Sequence, residues 1–289
     1  MRCHYLAQAL LRAWNPDIFF VMGDCSAGVT QARSWGYEVV PSRRGALNEL
    51  AGQSGALVFD LPGEDGLKEF TQAGRPDLWT IVLDDVGRPF PWADVIVNSG
   101  ILARPDPYPP GARLLLGPEY LILPESYDPV SWDRSTRRDS PTVMITFGGS
   151  DPTGLTLKVI RAISKRKWPG VSFKVILGPG FGPGRDVRDL VDKTTADIEV
   201  IENPPELLPW FLQADLVFCA GGRTLYELHA LGVPVLAIAS IGHEVEGVRA
   251  FKDRGLIEAG LEQWNEEVFL REWSYMLKKR QPSLEKRTG

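Results

Sequence analysis

The sequence predicts an α/β protein whose sheets are parallel and covered by helices on both faces. Short apolar runs recur along the chain, helical apolar periods alternate with them, and the runs end in glycine or acidic loop residues. Runs this continuous in Val, Ile, Leu and Phe belong to strands buried on both sides, since a half-exposed strand would alternate with polar residues. No internal repeat of solenoid length and no low-complexity tract breaks the pattern.

The first element is a helix. In "MRCHYLAQALLRAW", Leu6, Ala7, Ala9, Leu10, Ala13 and Trp14 recur at spacings of three and four, which gives one apolar face. Arg2, Gln8 and Arg12 interrupt any apolar core of a secretory signal, and no small-residue cleavage site follows. No Ser, Thr, Asp or Asn caps the start, so the helix reads as one half of a unit whose other half would lie ahead of it. Strands are then expected at "DIFFVMG", "GALVFDL", "LWTIVLDD", "ADVIVNS" and "ARLLLG". Between residues 117 and 141 the rhythm changes: "GPEYLILPESYDPVSWDRSTRRDSP" is rich in proline and charge, carries no sustained period, and reads as a connector. Beyond it come "TVMITFGG", "SFKVILG", "IEVIEN", "ADLVFCAGG" and "PVLAIAS" as further strands. The expected organisation is an N-terminal domain over 1–130, a linker over 131–139, a C-terminal domain over 140–265, and a helix with a tail over 266–289. The amphipathic segment "QWNEEVFLREWSYMLKK" is placed as a helix packing back across the junction.

Composition narrows the function classes. At 289 residues the chain accommodates two domains, and 44% hydrophobic with 24% charged residues is the make-up of a soluble globular protein. No apolar run is long enough to span a bilayer, so no transmembrane segment is expected. A net charge of −5 argues against a nucleic-acid partner, which needs a concentrated basic footprint. The basic stretch "LKKRQPSLEKRTG" reads as a solvated helix end and tail. Cys3, Cys25 and Cys219 are odd in number and far apart, which suits a reducing, cytoplasmic setting. The chain lacks CxxC and HxxxH spacings, so no metal and no other cofactor is expected.

The sharpest local signal is "ADLVFCAGGRTLYELHALGVPVLAIAS". A buried strand ends at Cys219, Gly221 and Gly222 turn the chain, and a helix starts near Arg223 with Thr224 in its first turn. Backbone N–H groups and the positive end of the helix dipole at such a junction favour a diphosphate, and paired glycines allow its close approach. Glu227, one turn further in, is placed to accept from two ribose hydroxyls. The same glycines equally suit a plain tight turn. A second junction, "TVMITFGGSDPTGLTLKVIRAI", turns at Gly148 and Gly149 and offers Ser150, Asp151 and Thr153 ahead of a helix with Leu155, Leu157, Ile160 and Ile163 facing inward. Ser150 and Asp151 read either as ligand contacts or as N-caps. Two such loops at the carboxyl ends of strands in one domain point to a shared crevice. The third glycine stretch, "VILGPGFGPG", which starts its turn at Gly178, reads either as a closure over a base or as a surface loop.

"GGSDPTGLT", "LGPEYLILPESY" and "AGGRTLYELHALGVP" resemble, in that register and order, the PseG/SpsG family of sugar-nucleotide enzymes, which is similar to the MurG-type glycosyltransferases. The resemblance covers nearly the whole chain. It implies a GT-B-like fold of two doubly wound, Rossmann-like domains with a cleft between them, and a UDP-sugar as the small-molecule partner. It also implies that "MRCHYLAQAL" aligns with the end of a strand–"GxGHxxRC"–helix pattern, so that the first central strand, its glycines and the family's catalytic histidine would lie upstream of Met1. Without that strand the sheet would carry an open seam. Further departures are Gly242-His243 where the family has an "NQ" pair, and Asp60-Leu61-Pro62 where it has "DxY"; Asp84 and Asp85 match a family "DD" pair.

Among the residues present, His243 is the candidate acid/base, just past a strand end and beside Glu244, with an intrinsic pKa suited to proton transfer near neutrality. His4 and His229 read as structural. Adjacent residues on an extended strand face opposite ways, so at most one of Asp84 and Asp85 enters a site, and Asp85 is taken as that one. The expected nucleotide-sugar contacts are Gly148, Gly149, Ser150, Asp151, Gly178, Gly221, Gly222, Arg223, Thr224 and Glu227. The resemblance implies a UDP-sugar hydrolase of the pseudaminic-acid type, with water attacking the anomeric carbon. The alternatives are a glycosyltransferase of surface or spore-coat polysaccharide synthesis, and a sugar-nucleotide binder with impaired catalysis.

Overall fold

Each of the predicted runs becomes a parallel strand in a computed structural model of the chain, which describes residues 2–23, 26–42, 49–50, 52–60, 77–106, 108–128, 140–181 and 184–280. The chain divides into two compact units, Met1–Glu125 and Ser126–Gly289, at a point within the predicted connector. The predicted linker 131–139, the tail 281–289, Cys25, Leu61 and Pro62 lie outside the described residues.

Unit 1 opens with α1 (Arg2–Trp14), then β1 (Phe19–Met22), α2 (Ser26–Ser34) and β2 (Glu38–Pro41). β3 (Ala56–Phe59), β4 (Trp79–Leu83), β5 (Val95–Asn98) and β6 (Arg113–Leu116) follow. β1 and β2 pair in parallel as one sheet, and β3-β4-β5-β6 form a second in that order. Among the described residues no ladder joins the two sheets; α1 lies against both. On one side the His4 ring stacks on Trp35 with centroids 4.0 Å apart, and its Nδ1 lies 3.1 Å from the Tyr37 hydroxyl. On the other, the Arg2 guanidinium reaches Asp60, just beyond β3. The β3–β6 sheet buries Leu57, Phe59, Val82 and Ile96 against Phe90, Ala93 and Tyr108.

Unit 2 carries β7 (Thr142–Thr146), α3 (Leu155–Ser164), β8 (Ser172–Leu177), α4 (Arg185–Val191), β9 (Asp197–Glu202), α5 (Leu208–Gln213), β10 (Leu216–Ala220), α6 (Arg223–Ala230), β11 (Val235–Ile238), α7 (Glu244–Asp253), β12 (Ala259–Leu261) and α8 (Glu266–Arg280). Its six parallel strands run in the order β12-β11-β10-β7-β8-β9. The chain thus builds outward from β7 in one direction, returns, and builds outward from β10 in the other, which is double winding with its switch between β7 and β10. β7, β10 and β11 are buried at every position, as strands covered on both faces must be. On α3 the inward face is Leu155, Thr156, Val159, Ile160, Ala162 and Ile163, whereas Leu157, expected inward, is only partly buried against that core.

The C-terminal amphipathic helix packs into the core of unit 2. α8 buries Phe269, Leu270, Trp273 and Met276 in the same core as β7, β8 and α3, and the Trp273 ring meets Phe218 edge-on at 5.3 Å. Burying such side chains contributes roughly 1.5–3 kcal/mol each, so this face is accounted for inside its own unit. No helix among the described residues is long and apolar enough to cross a membrane.

Candidate functional site

In a doubly wound sheet the loops at the carboxyl ends of the two switch strands diverge and leave a crevice where ligands bind. Here those loops are residues 147–154, after β7, and Gly221–Gly222, after β10; β7 and β10 are direct neighbours, with Thr146 opposite Cys219. The topology therefore brings together the two glycine pairs that the sequence singled out.

The β7 loop turns at Gly148, whose φ of 80° is left-handed and costs a side-chain-bearing residue energy. Gly148, Gly149 and Ser150 are exposed. Asp151 is buried with φ 41°, and its carboxylate accepts from the N–H of Leu155 at 2.8 Å and of Thr156 at 2.7 Å. Of the two readings of Asp151, the geometry is that of the cap: the carboxylate fills the first turn of α3 and offsets the strain of its own backbone by local hydrogen bonding.

Gly178 belongs to this loop by packing. A Cβ on it would meet Gly149 Cα at 2.6 Å and the Gly148 carbonyl at 2.7 Å, and the Gly180 N–H donates to the Gly149 carbonyl at 2.8 Å. The stretch after β8 thus lies backbone to backbone on the β7 loop.

The β10 loop differs. Gly222 is the N-cap of α6, and no side chain caps that turn, so the positive end of its dipole faces the loop. Of the helices entered from the two switch loops, α6 is the one whose first turn holds no carboxylate. Thr224 lies in that turn, half-buried. Arg223 Nε donates to Glu227 Oε1 at 2.9 Å along the helix. Burial raises the Glu227 carboxyl above the ordinary carboxylate range, and the Arg223 hydrogen bond and charge offset part of that. Gly221 serves packing: a Cβ there would meet Val248 Cγ2 at 2.7 Å and Glu244 Cβ at 2.9 Å, and its N–H donates to Glu244 Oε2 at 3.2 Å.

His243 precedes α7 in the loop after β11, exposed, and makes no cap with its side chain. Asp85 stands at the carboxyl end of β4 in unit 1, exposed, where Arg2 Nη1 donates to it at 2.6 Å. Asp84 faces inward, as the alternation requires: it is buried and accepts from the N–H groups of Gly87 (2.6 Å) and Arg88 (3.2 Å) and from the Tyr108 hydroxyl (2.8 Å). Arg2 also holds Asp60, through Nε at 3.0 Å and Nη2 at 2.6 Å, and Cys3 Sγ donates to Asp60 at 3.2 Å. Burial pushes the Asp60 carboxyl upward, but the Arg2 hydrogen bond and charge, with Cys3, outweigh it and leave it below the usual range.

One residue of the site was not legible in the sequence. In the sequence Glu244 stands out only as the neighbour of His243. In the structure it is buried and bonded to two loops.

No protein-family model matches the chain. Over 175 residues it is 29% identical to the spore coat polysaccharide biosynthesis protein SpsG of Bacillus subtilis, a match covering 58% of this chain and 50% of SpsG. Over 127 residues it is 29% identical to the uncharacterized protein MJ1062 of Methanocaldococcus jannaschii, covering 42% of this chain and 26% of that protein. The match thus takes in half the length of one curated relative and about a quarter of the other. Among solved structures, MurG of Acinetobacter baumannii superposes with a TM-score of 0.67 at 13% identity, over 96% of this chain and 86% of MurG. The spinosyn rhamnosyltransferase SpnG in complex with thymidine diphosphate superposes with a TM-score of 0.60 at 17% identity, over 96% of this chain and 88% of SpnG. In sequence the chain is similar to SpsG, and its fold is that of the GT-B glycosyltransferases, parallel α/β in both units.

Proposed function

We propose that the protein is a glycosyltransferase that uses a UDP-sugar in polysaccharide synthesis, with the nucleotide held by unit 2. The observation that carries the reading is the juxtaposition at the β7/β10 switch: two glycine turns at neighbouring strand ends, with the first turn of α6, which no side chain caps, directly after one of them. A diphosphate seated there takes its hydrogen bonds from α6's first turn, Gly222 to Thr224, and from the exposed Gly148–Ser150 backbone. Glu227 accepts from the ribose hydroxyls, and Arg223 adds a cation. The likeness to SpsG supports polysaccharide synthesis as the setting, and the thymidine diphosphate bound by SpnG is, like UDP, a pyrimidine nucleoside diphosphate.

The chemistry is displacement at the anomeric carbon. An acceptor oxygen forms the new bond to that carbon while its bond to the diphosphate oxygen breaks, and UDP departs with the electron pair. The α6 dipole stabilises the charge that grows on the leaving diphosphate. His243 is the candidate to take the acceptor's proton.

The PseG side of the resemblance supports hydrolysis of a UDP-linked diacetamido-trideoxy sugar instead, with water as the acceptor. Incubating the protein with a panel of UDP-sugars, with and without polyprenyl and saccharide acceptors, and following UDP and sugar products by mass spectrometry separates the readings. Acceptor-dependent UDP release supports transfer. Equal release without acceptor makes the protein a hydrolase, and UDP binding without release makes it a binder.

A further inference from the structure

Glu244 is more than nine-tenths buried, and one of its oxygens gathers three donors. Oε2 accepts from the Ser240 N–H at 2.8 Å, from the Ser240 hydroxyl at 2.8 Å and from the Gly221 N–H at 3.2 Å. Ser240 stands in the loop between β11 and α7, and Gly221 in the loop between β10 and α6. The other oxygen, Oε1, lies 3.3 Å from where a Cβ on Gly222 would sit. A single carboxylate therefore ties together two neighbouring loops at the carboxyl edge of the sheet and packs against Gly222, the N-cap of α6.

We infer that Glu244 is a positioning residue for the nucleotide loop: its carboxylate clasps Gly221 to Ser240 and thereby fixes the direction in which the first turn of α6 presents its amides. The inference rests on the nucleotide reading of that turn. A glycine pair has the widest conformational freedom of any dipeptide, and an anion cradle built on one binds well only if its N–H groups are already aimed. The three hydrogen bonds to one charged oxygen supply that aim without placing a side chain in α6's first turn, and charge-assisted bonds of this kind are the strong ones. Asp151 does the corresponding work at α3 by a different route, filling the helix end outright. The two acids together leave α6's N-terminus as the place for the diphosphate.

The test compares wild type, Glu244→Gln and Glu244→Ala by calorimetric titration with UDP, alongside amide hydrogen exchange at Gly221 and Ser240 and thermal melting. Glu244→Gln keeps an acceptor oxygen at the same reach. The expected result is UDP binding weakened roughly tenfold or more in Glu244→Ala, recovered to within about threefold of wild type in Glu244→Gln, with faster exchange at Gly221 in the alanine variant only. A folded Glu244→Ala variant that exchanges faster yet binds UDP as wild type does overturns the inference, since the clasp would then be structural only. Equal loss in both variants also overturns it, because the acceptor would not be what matters. If wild type itself binds no UDP, the nucleotide reading fails and this role with it, while the exchange at Gly221 still reports whether the clasp exists.

Discussion

Gly178 and Gly149 touch backbone to backbone: a Cβ added to Gly178 would lie 2.6 Å from Gly149 Cα, closer than any side chain is accommodated. The obstruction is main chain on all three nearest contacts, so no flexible side chain can yield. Gly178→Ala is therefore expected to destabilise unit 2 by about 1–3 kcal/mol through overpacking and to displace the β7 loop. Urea unfolding of the variant beside wild type reads the first effect, and weaker UDP binding reads the second. An unchanged midpoint would mean that the loop gives way freely and is not a built part of the site.

Glu227 separates ribose recognition from diphosphate recognition. Its replacement by Ala is expected to weaken UDP binding about tenfold, the value of losing hydrogen bonds to a charged acceptor. Calorimetry with a nucleotide lacking both ribose hydroxyls is the control: that ligand should bind wild type and variant equally. A variant that loses both ligands alike would assign Glu227 to holding Arg223 instead.

Asp60 links the start of α1 to the end of β3, and its depressed carboxyl pKa gives the link a pH dependence. The folded value lies below the unfolded one, near 4, so the contribution to stability is fully present above about pH 4 and is lost as pH falls through the folded value. Asp60→Asn is expected to lower stability at neutral pH by about 1–3 kcal/mol. The gap between variant and wild type should close in acid. Chemical denaturation between pH 3 and pH 7, roughly the span bracketing the carboxylate range, measures it.

Cys3 and Cys219 should resist alkylation. Burial, with Asp60 adding to it, pushes the Cys3 thiol up to about 12, and full burial raises Cys219 further. Iodoacetamide is therefore expected to modify both residues quickly only after unfolding. Peptide mapping by mass spectrometry gives the result for each cysteine separately.

What the sequence reveals here depends on how much of each element's energy is local. β7, β10 and β11 are continuous apolar runs and are legible because burial on both faces demands that composition. β2 and β12 go unread: they are edge strands of four and three residues, one ending in Pro41 and the other containing Gly260, too short and too broken to stand out as apolar runs. The site divides in the same way. Both glycine pairs are visible as turns because they directly follow continuous apolar runs that end as buried strands. That Asp151 caps α3 while α6 stays uncapped is invisible in "GGSD" and "GGRT", since both present a polar residue after the pair. Glu244 is hidden for the opposite reason: its partners Gly221 and Ser240 become neighbours only when β10 and β11 pair.

Backbone amide NMR during a UDP titration reports whether the switch between β7 and β10 holds the nucleotide. Gly148, Gly149, Gly222 and Thr224 are expected to shift together with one saturating curve, while Leu155 and Thr156, whose N–H groups are held by Asp151, move little. Saturable shifts confined to other parts of the chain, or no shifts at millimolar UDP, would contradict it.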